Sequence, residues 1–263
     1  MKRLSLPLMT AVGLMGMTAL TGCGSGSTDS ATSASAAMTP SASSTPSPSS
    51  TLSGTVTVLA AASLTESFTA LEKSFEAANP GVDVTISFGS SATLAQQIAQ
   101  GAPADLYASA GTKALDQLPA EAKAKPTTTL AKNVLEIATP PGNPKKVTGL
   151  ASLADASTNV VLCAETVPCG SAADAVLTKA GVTAHVVSRE VDVKATLAKI
   201  TLGEADAAIV YHSDVVAAGS KVEGVEIPSA QNTTLAYPLV RLTDTAATKA
   251  FADRKSTRLN SSH

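Results

Sequence analysis

The stretch TVTVLAAASLTESFTALEKSFEAANPGVDVTISF, residues 55–88, decides the fold. Thr55 to Ala61 alternates through Val56 and Val58 as a strand does, and Leu64, Phe68, Leu71 and Phe75 then recur at helical spacing. Asn79-Pro80-Gly81 stops that helix, after which Val82, Val84, Ile86 and Phe88 alternate again. Strand, helix and strand in so short a run form one βαβ unit, which predicts parallel pairing and a right-handed crossover.

Outward from that unit the pattern continues. Ala92 to Gln100 places Leu94 and Ile98 one helical turn apart and ends at Gly101, and Asp105 to Ala108 is the next buried strand. Leu130 to Thr139 reads as a strand entering the Pro-Pro-Gly-Asn-Pro turn at 140–144. A second set follows: strand 159–163, helix 171–180, strand 184–188, helix 193–202 and strand 206–211, with strand character resuming from Leu235 to Leu242. The chain is therefore α/β.

Two segments, AAASLTE at 60–66 and FGSSATLAQQ at 88–97, put a serine where a strand gives way to a helix. Ser63 with Glu66 three residues later fits a capping box, and Gly89 lets the backbone come close before Ser90 and Ser91. Capping alone accounts for each segment taken singly. Taken together they matter more, because ligands collect outside the carboxyl ends of parallel strands, where Ser63, Ser90, Ser91 and Tyr211 all fall. Helix N-termini present unpaired N–H groups to anions. Hydroxyls, a phenol and amides donate without titrating, which suits an oxyanion that carries no proton and leaves a protonated one without an acceptor.

Composition narrows the rest. Residues 1–23 open with Lys2 and Arg3, run apolar from Leu4 to Leu20 and end Leu20-Thr21-Gly22-Cys23, the form of an export signal whose Cys23 becomes a lipidated first residue. Gly24 to Gly54 falls to Ser, Thr, Ala and Pro, a tether that cannot bury enough surface to order itself. A net charge of −2 and 3% aromatic residues, with no basic stripe, argue against a nucleic-acid partner. Cys163 and Cys169 remain as a pair in an oxidising compartment, which predicts a disulfide; a metal site would lack a histidine nearby in sequence. No G-x-S-x-G, H-E-x-x-H or phosphate-binding loop occurs, and Cys169-Gly170-Ser171 departs at once from the cysteine-protease signature it superficially shares, so no catalytic residue is assigned. His185 and His212 are single histidines beside apolar runs.

The strings TVTVLAAASLTESF (55–68), FGSSATLAQQIAQGAPADLYASA (88–110), VPCGSAA (167–173) and VDVKATLAKITLGEADAAIVYHSD (191–214), in that order, resemble the periplasmic molybdate-binding proteins of ABC importers, in lipoprotein form. The resemblance runs from about Thr55 to Phe251. It implies a type II periplasmic binding-protein fold, two α/β lobes with a ligand cleft between them: lobe I from 55–132 and 233–253, lobe II from 133–232. It further implies molybdate or tungstate as ligand and no cofactor, the only metal being the molybdenum of the oxyanion. An ABC permease is the implied partner of a monomer anchored through Cys23 on the extracytoplasmic face. Position by position, Ser63 and Ser91 supply hydroxyls and amides, Cys169 and Val193 backbone amides, and Tyr211 its phenolic hydroxyl. Two departures stand out, Ala92 where the family often has a third serine and Cys169 where many relatives carry alanine.

The alternatives are a binding protein for another tetrahedral oxyanion such as sulfate, an exported hydrolase, and a lipid-anchored structural lobe. The family's terminal helix is expected to run on past Phe251, but RKSTRLNSSH at 254–263 has no apolar period and resembles a translated sequencing adapter, so it reads as a non-native, unstructured tail.

Overall fold

β1 (Gly54–Ala61) pairs in parallel with β2 (Val82–Gly89) along its whole length, Gly54 opposite Val82 and Ala61 opposite Gly89, in a computed structural model that describes residues 52–259. The export signal, Cys23, the tether up to residue 51 and residues 260–263 lie outside the described residues. The crossover is α1 (Thr65–Ala78), which buries Phe68, Leu71 and Phe75 against the sheet as their spacing requires. α2 (Ser91–Ala99) leads to β3 (Leu106–Ala108), parallel to β1 on its other edge. After the short α3 (Ala120–Lys123) comes β4 (Thr127–Thr139), 13 residues long.

β4 organises the molecule. Its first part, Thr127 to Val134, runs antiparallel to β9 (Thr234–Arg241), whereas Leu135 to Ala138 runs antiparallel to β7 (Ala207–Tyr211). The strand thus leaves one sheet and enters another between Val134 and Leu135. The second sheet is completed by β5 (Val160–Cys163) and β6 (Val186–Glu190), with α4 (Pro168–Ala180) and α5 (Val193–Thr201) as crossovers. α6 (His212–Ala218) and β8 (Glu223–Glu226) follow, β8 lying antiparallel to Glu136–Thr139 of β4. The strand order is β2-β1-β3-β9-β4-β7-β5-β6, with β8 on β4. This is two α/β halves hung on shared antiparallel strands, the two-lobed binding-protein architecture.

Several boundaries differ from the sequence reading. α4 begins at Pro168 rather than 171, because proline fits the first helical position where no N–H is needed; Cys169 therefore lies inside the first turn. α3, α6 and β8 were not expected, each being too short to show a period. The largest difference concerns the C-terminus, where α7 (Ala246–Leu259) carries the helix on to Leu259, into the segment 254–263 expected to be unstructured, of which 260–263 lie outside the described residues. Phe251 seats that helix, its ring 5.1 Å from Phe75 and nearly perpendicular. From so anchored a start, Arg254, Lys255, Arg258 and Leu259 are strong helix formers and propagate without an apolar stripe.

Candidate functional site

A small cavity lies where β1, β2 and β7 end and where α2, α4 and α5 begin. Ser63, Ser91, Cys169, Val193 and Tyr211 all line it. None of its lining residues is Lys, Arg or His.

Ser63 is held in a single 3-10 turn, Ala62–Leu64, immediately ahead of α1. It does not cap that helix. Leu64 occupies the N-cap without a side-chain bond, the Ser63 hydroxyl pairs with the Tyr237 hydroxyl at 3.0 Å, and Glu66 turns outward to Lys194. The expected capping box is therefore absent: the intervening turn rotates Ser63 toward the interior and out of reach of the N3 amide.

Ser90 is the N-cap of α2 by backbone, yet its hydroxyl makes no cap bond and is buried without a hydrogen-bond partner. Ser91 Oγ accepts from the Ala110 amide at 3.0 Å, which leaves its own proton to donate. The Tyr107 hydroxyl donates to the Ser91 carbonyl at 2.7 Å and braces this turn; burial pushes its pKa up to about 12, so it remains a donor. The first intrahelical bond of α2 runs from Leu94 to Ser90, so the amides before it point out of the helix end.

The other two helices repeat the arrangement. In α4 the first intrahelical bond is Ser171 to Val167, leaving the Cys169 amide ahead of it. Cys169 is joined to Cys163 at the end of β5 by a disulfide, S–S 2.09 Å, and a Cβ at Gly170 would collide with the Ala164 carbonyl oxygen. The helix start is thus pressed onto the strand end. In α5 the first such bond is Thr196 to Asp192, and the Asp192 carboxylate accepts from the Ala195 amide at 2.9 Å, leaving the Val193 amide unclaimed by the cap. Asp192 also lines the cavity, an acceptor the sequence reading did not foresee; its charge is directed at the helix end.

Tyr211 closes the ring. It is fully buried at the end of β7, its hydroxyl has no hydrogen-bond partner, and its ring meets Tyr237 edge-on at 5.8 Å between centroids. Burial, with Tyr237 and Asp214 nearby, holds the phenol well above its ordinary pKa, so it keeps its proton at neutral pH. The histidines lie elsewhere: His212 Nδ1 is 2.6 Å from Glu136 Oε2 and His185 Nδ1 is 3.3 Å from the Thr158 carbonyl, neither on the cavity. Among the described residues no cluster of His, Cys, Asp and Glu could hold a metal ion.

Sequence reasoning missed Tyr237, Asn133, Tyr107 and Asp192. The two tyrosines sit in apolar strand runs and read as core; only their hydroxyls, otherwise unsatisfied when buried, hinted at partners. Asn133 lies on the crossing strand, where nothing local marks it.

A ring of hydroxyls and helix-end amides with no cationic side chain among its lining residues can hold a small, fully deprotonated anion by hydrogen bonds alone. Comparison with known proteins bears on what kind of anion. The family model of bacterial extracellular solute-binding proteins matches residues 56–254. A molybdate-binding protein ModA of Mycobacterium tuberculosis is 39% identical over 193 residues, covering 73% of this chain and 74% of that protein. The molybdate-binding protein ModA of Escherichia coli is 36% identical over 214 residues, 76% of this chain and 82% of that one. The solved periplasmic molybdate-binding protein of Azotobacter vinelandii superposes with a TM-score of 0.62 over 78% of this chain and 92% of that one, at 21% identity, a likeness of fold.

Proposed function

The chain belongs to the bacterial extracellular solute-binding proteins, in the molybdate-binding protein family, and from that premise we propose that it captures molybdate, and tungstate as well, and hands it to an ABC import permease. One observation carries the reading: groups from five separate chain segments, the Ser63 and Ser91 hydroxyls, the Cys169 and Val193 amides and the Tyr211 phenol, meet at one cavity that no cationic side chain lines. Such a ring suits a dianion whose four oxygens carry no protons. It fits a larger tetrahedral anion better than sulfate, whose shorter bonds leave rigid donors under-satisfied.

Binding proceeds by closure of two lobes, 55–132 with 233–253 against 133–232, about the place where β4 changes sheets and the 227–233 connection returns. The closed form is what a permease reads. The protein is no enzyme, works as a monomer and is tied to the extracytoplasmic face of the membrane through Cys23.

Calorimetric titration tests the reading. Molybdate and tungstate should bind one site tightly, with sulfate and phosphate far weaker at equal concentration. Sulfate binding as tight as molybdate would overturn the assignment.

A further inference from the structure

We propose that Asn133 and Tyr237 form a one-way hydrogen-bond relay that fixes Ser63 as a donor into the cavity, so that the site selects anions by proton content and not by size alone; this rests on the oxyanion-binding reading above. The direction of the relay follows from its fixed end. Asn133 Oδ1 accepts from the Val134 backbone N–H at 3.0 Å, which can only donate, so the other end of the amide is the NH2 group. That NH2 donates to Ser213 Oγ at 2.8 Å and to the Tyr237 hydroxyl at 3.2 Å. Having accepted from Asn133, Tyr237 directs its single proton to the remaining partner, Ser63 Oγ at 3.0 Å. Burial holds the Tyr237 phenol well above its ordinary pKa, so that proton stays in place. Ser63 in turn has accepted, and its own hydroxyl proton is left for the cavity it lines.

Ser91 is set the same way by the Ala110 amide. The consequence is chemical: at Ser63 and Ser91 an anion bearing an O–H meets a hydroxyl proton aimed into the cavity and an oxygen that has already accepted one bond, which leaves Ser90 and Asp192 as the lining groups freest to accept its proton. Asn133 and Tyr237 are thus positioning residues. They sit on the crossing strand and its β9 neighbour, and the bond from Asn133 to Ser213 on α6 ties the relay to the second sheet's side of the cleft.

Selenate and hydrogenarsenate test it, being dianions of closely matched size in mildly alkaline buffer that differ by one proton. Each is measured by competition against molybdate, for the parent, Tyr237→Phe and Asn133→Asp. The parent should favour selenate by at least about tenfold. Tyr237→Phe frees the Ser63 oxygen to accept, and Asn133→Asp reverses the relay by drawing the phenol proton to the carboxylate. Both should cut the selenate preference by about tenfold. Added charge in the aspartate variant weakens both dianions alike and cancels in the ratio. Both substitutions are isosteric, and thermal melts establish that each variant is folded. A ratio unchanged in both variants, with the two anions weakened equally, makes the residues merely structural and overturns the relay. A parent that binds no molybdate overturns the oxyanion reading itself, and the relay with it.

Discussion

Lys194 reaches from α5 to Glu66 on α1, its ammonium 2.8 and 2.9 Å from the two carboxylate oxygens, and rests 3.0 Å from Asp214 Oδ1 on the other side. Glu66 follows Ser63 by three residues and Lys194 follows Val193 by one, so the pair ties together two of the segments that line the cavity. Burial works against the ammonium, but Asp214 and Glu66 outweigh it and raise its pKa.

Because this bridge joins the two halves, Glu66→Gln should weaken molybdate binding about fivefold, roughly 1 kcal/mol for a half-exposed pair, chiefly through faster release. Stopped-flow dissociation reads it. An unchanged release rate would show that the bridge plays no part in holding the closed form.

Tyr211 and Ser91 should separate binding from folding. If the proposed site is right, Tyr211→Phe and Ser91→Ala each remove a hydrogen bond to a charged ligand and should cost about 1.5–3 kcal/mol of binding. The Tyr211 hydroxyl has no protein partner, so its loss should leave the ligand-free melting temperature where it was. Ser91→Ala also strips the Ala110 amide of its acceptor and should lower that temperature. Calorimetry paired with melts decides; a Tyr211→Phe protein that binds like the parent would remove the phenol from the site.

Asp214 predicts a pH signature. Its carboxyl is buried, and desolvation, only partly opposed by Lys194, raises its pKa from 3.8 to about 6. A raised carboxyl pKa means the folded state holds the proton more tightly, so this group's stabilisation is complete below about pH 4 and is lost as pH rises through about 6. Two units amount to something on the order of 3 kcal/mol. Denaturant unfolding of the parent and Asp214→Asn across that window should show the variant gaining on the parent as pH rises. Parallel curves would place the titration elsewhere.

How much of this was legible in the sequence depends on the range of each interaction. α1 declared itself because Phe68, Leu71 and Phe75 share one face, and the strand ends were readable because Ser63 and Ser91 follow runs of alternating residues and Tyr211 ends a short continuous apolar one. Tyr237 lies 174 residues from Ser63, and Asn133 lies 80 from Ser213, so only the fold brings them together. The capping box was misread for the same reason. Local pattern could not reveal that Tyr237 and Lys194 would claim Ser63 and Glu66. The start of the C-terminal helix was expected, but its continuation past Asp253 went unread because a helix anchored by Phe251 packing continues on propensity, which leaves no period.

The start of α4 offers the sharpest test of whether the site uses backbone or side chain. Cys163 and Cys169 are six residues apart, and closing so short a loop restrains the unfolded chain by about 2 kcal/mol. Replacing both with alanine should therefore lower stability by about that amount yet leave molybdate binding within a few-fold, since an amide survives the change. Gly170→Ala keeps the disulfide but drives a Cβ into the Ala164 carbonyl, backbone against backbone with no flexible side chain to yield. The first turn of α4 must then shift and carry the Cys169 amide with it, which should weaken binding at least about tenfold, as a misplaced hydrogen bond to a charged ligand does. Melts and titrations of the two variants side by side give the answer. If the double alanine protein loses binding while Gly170→Ala keeps it, the Cys169 amide is not the donor.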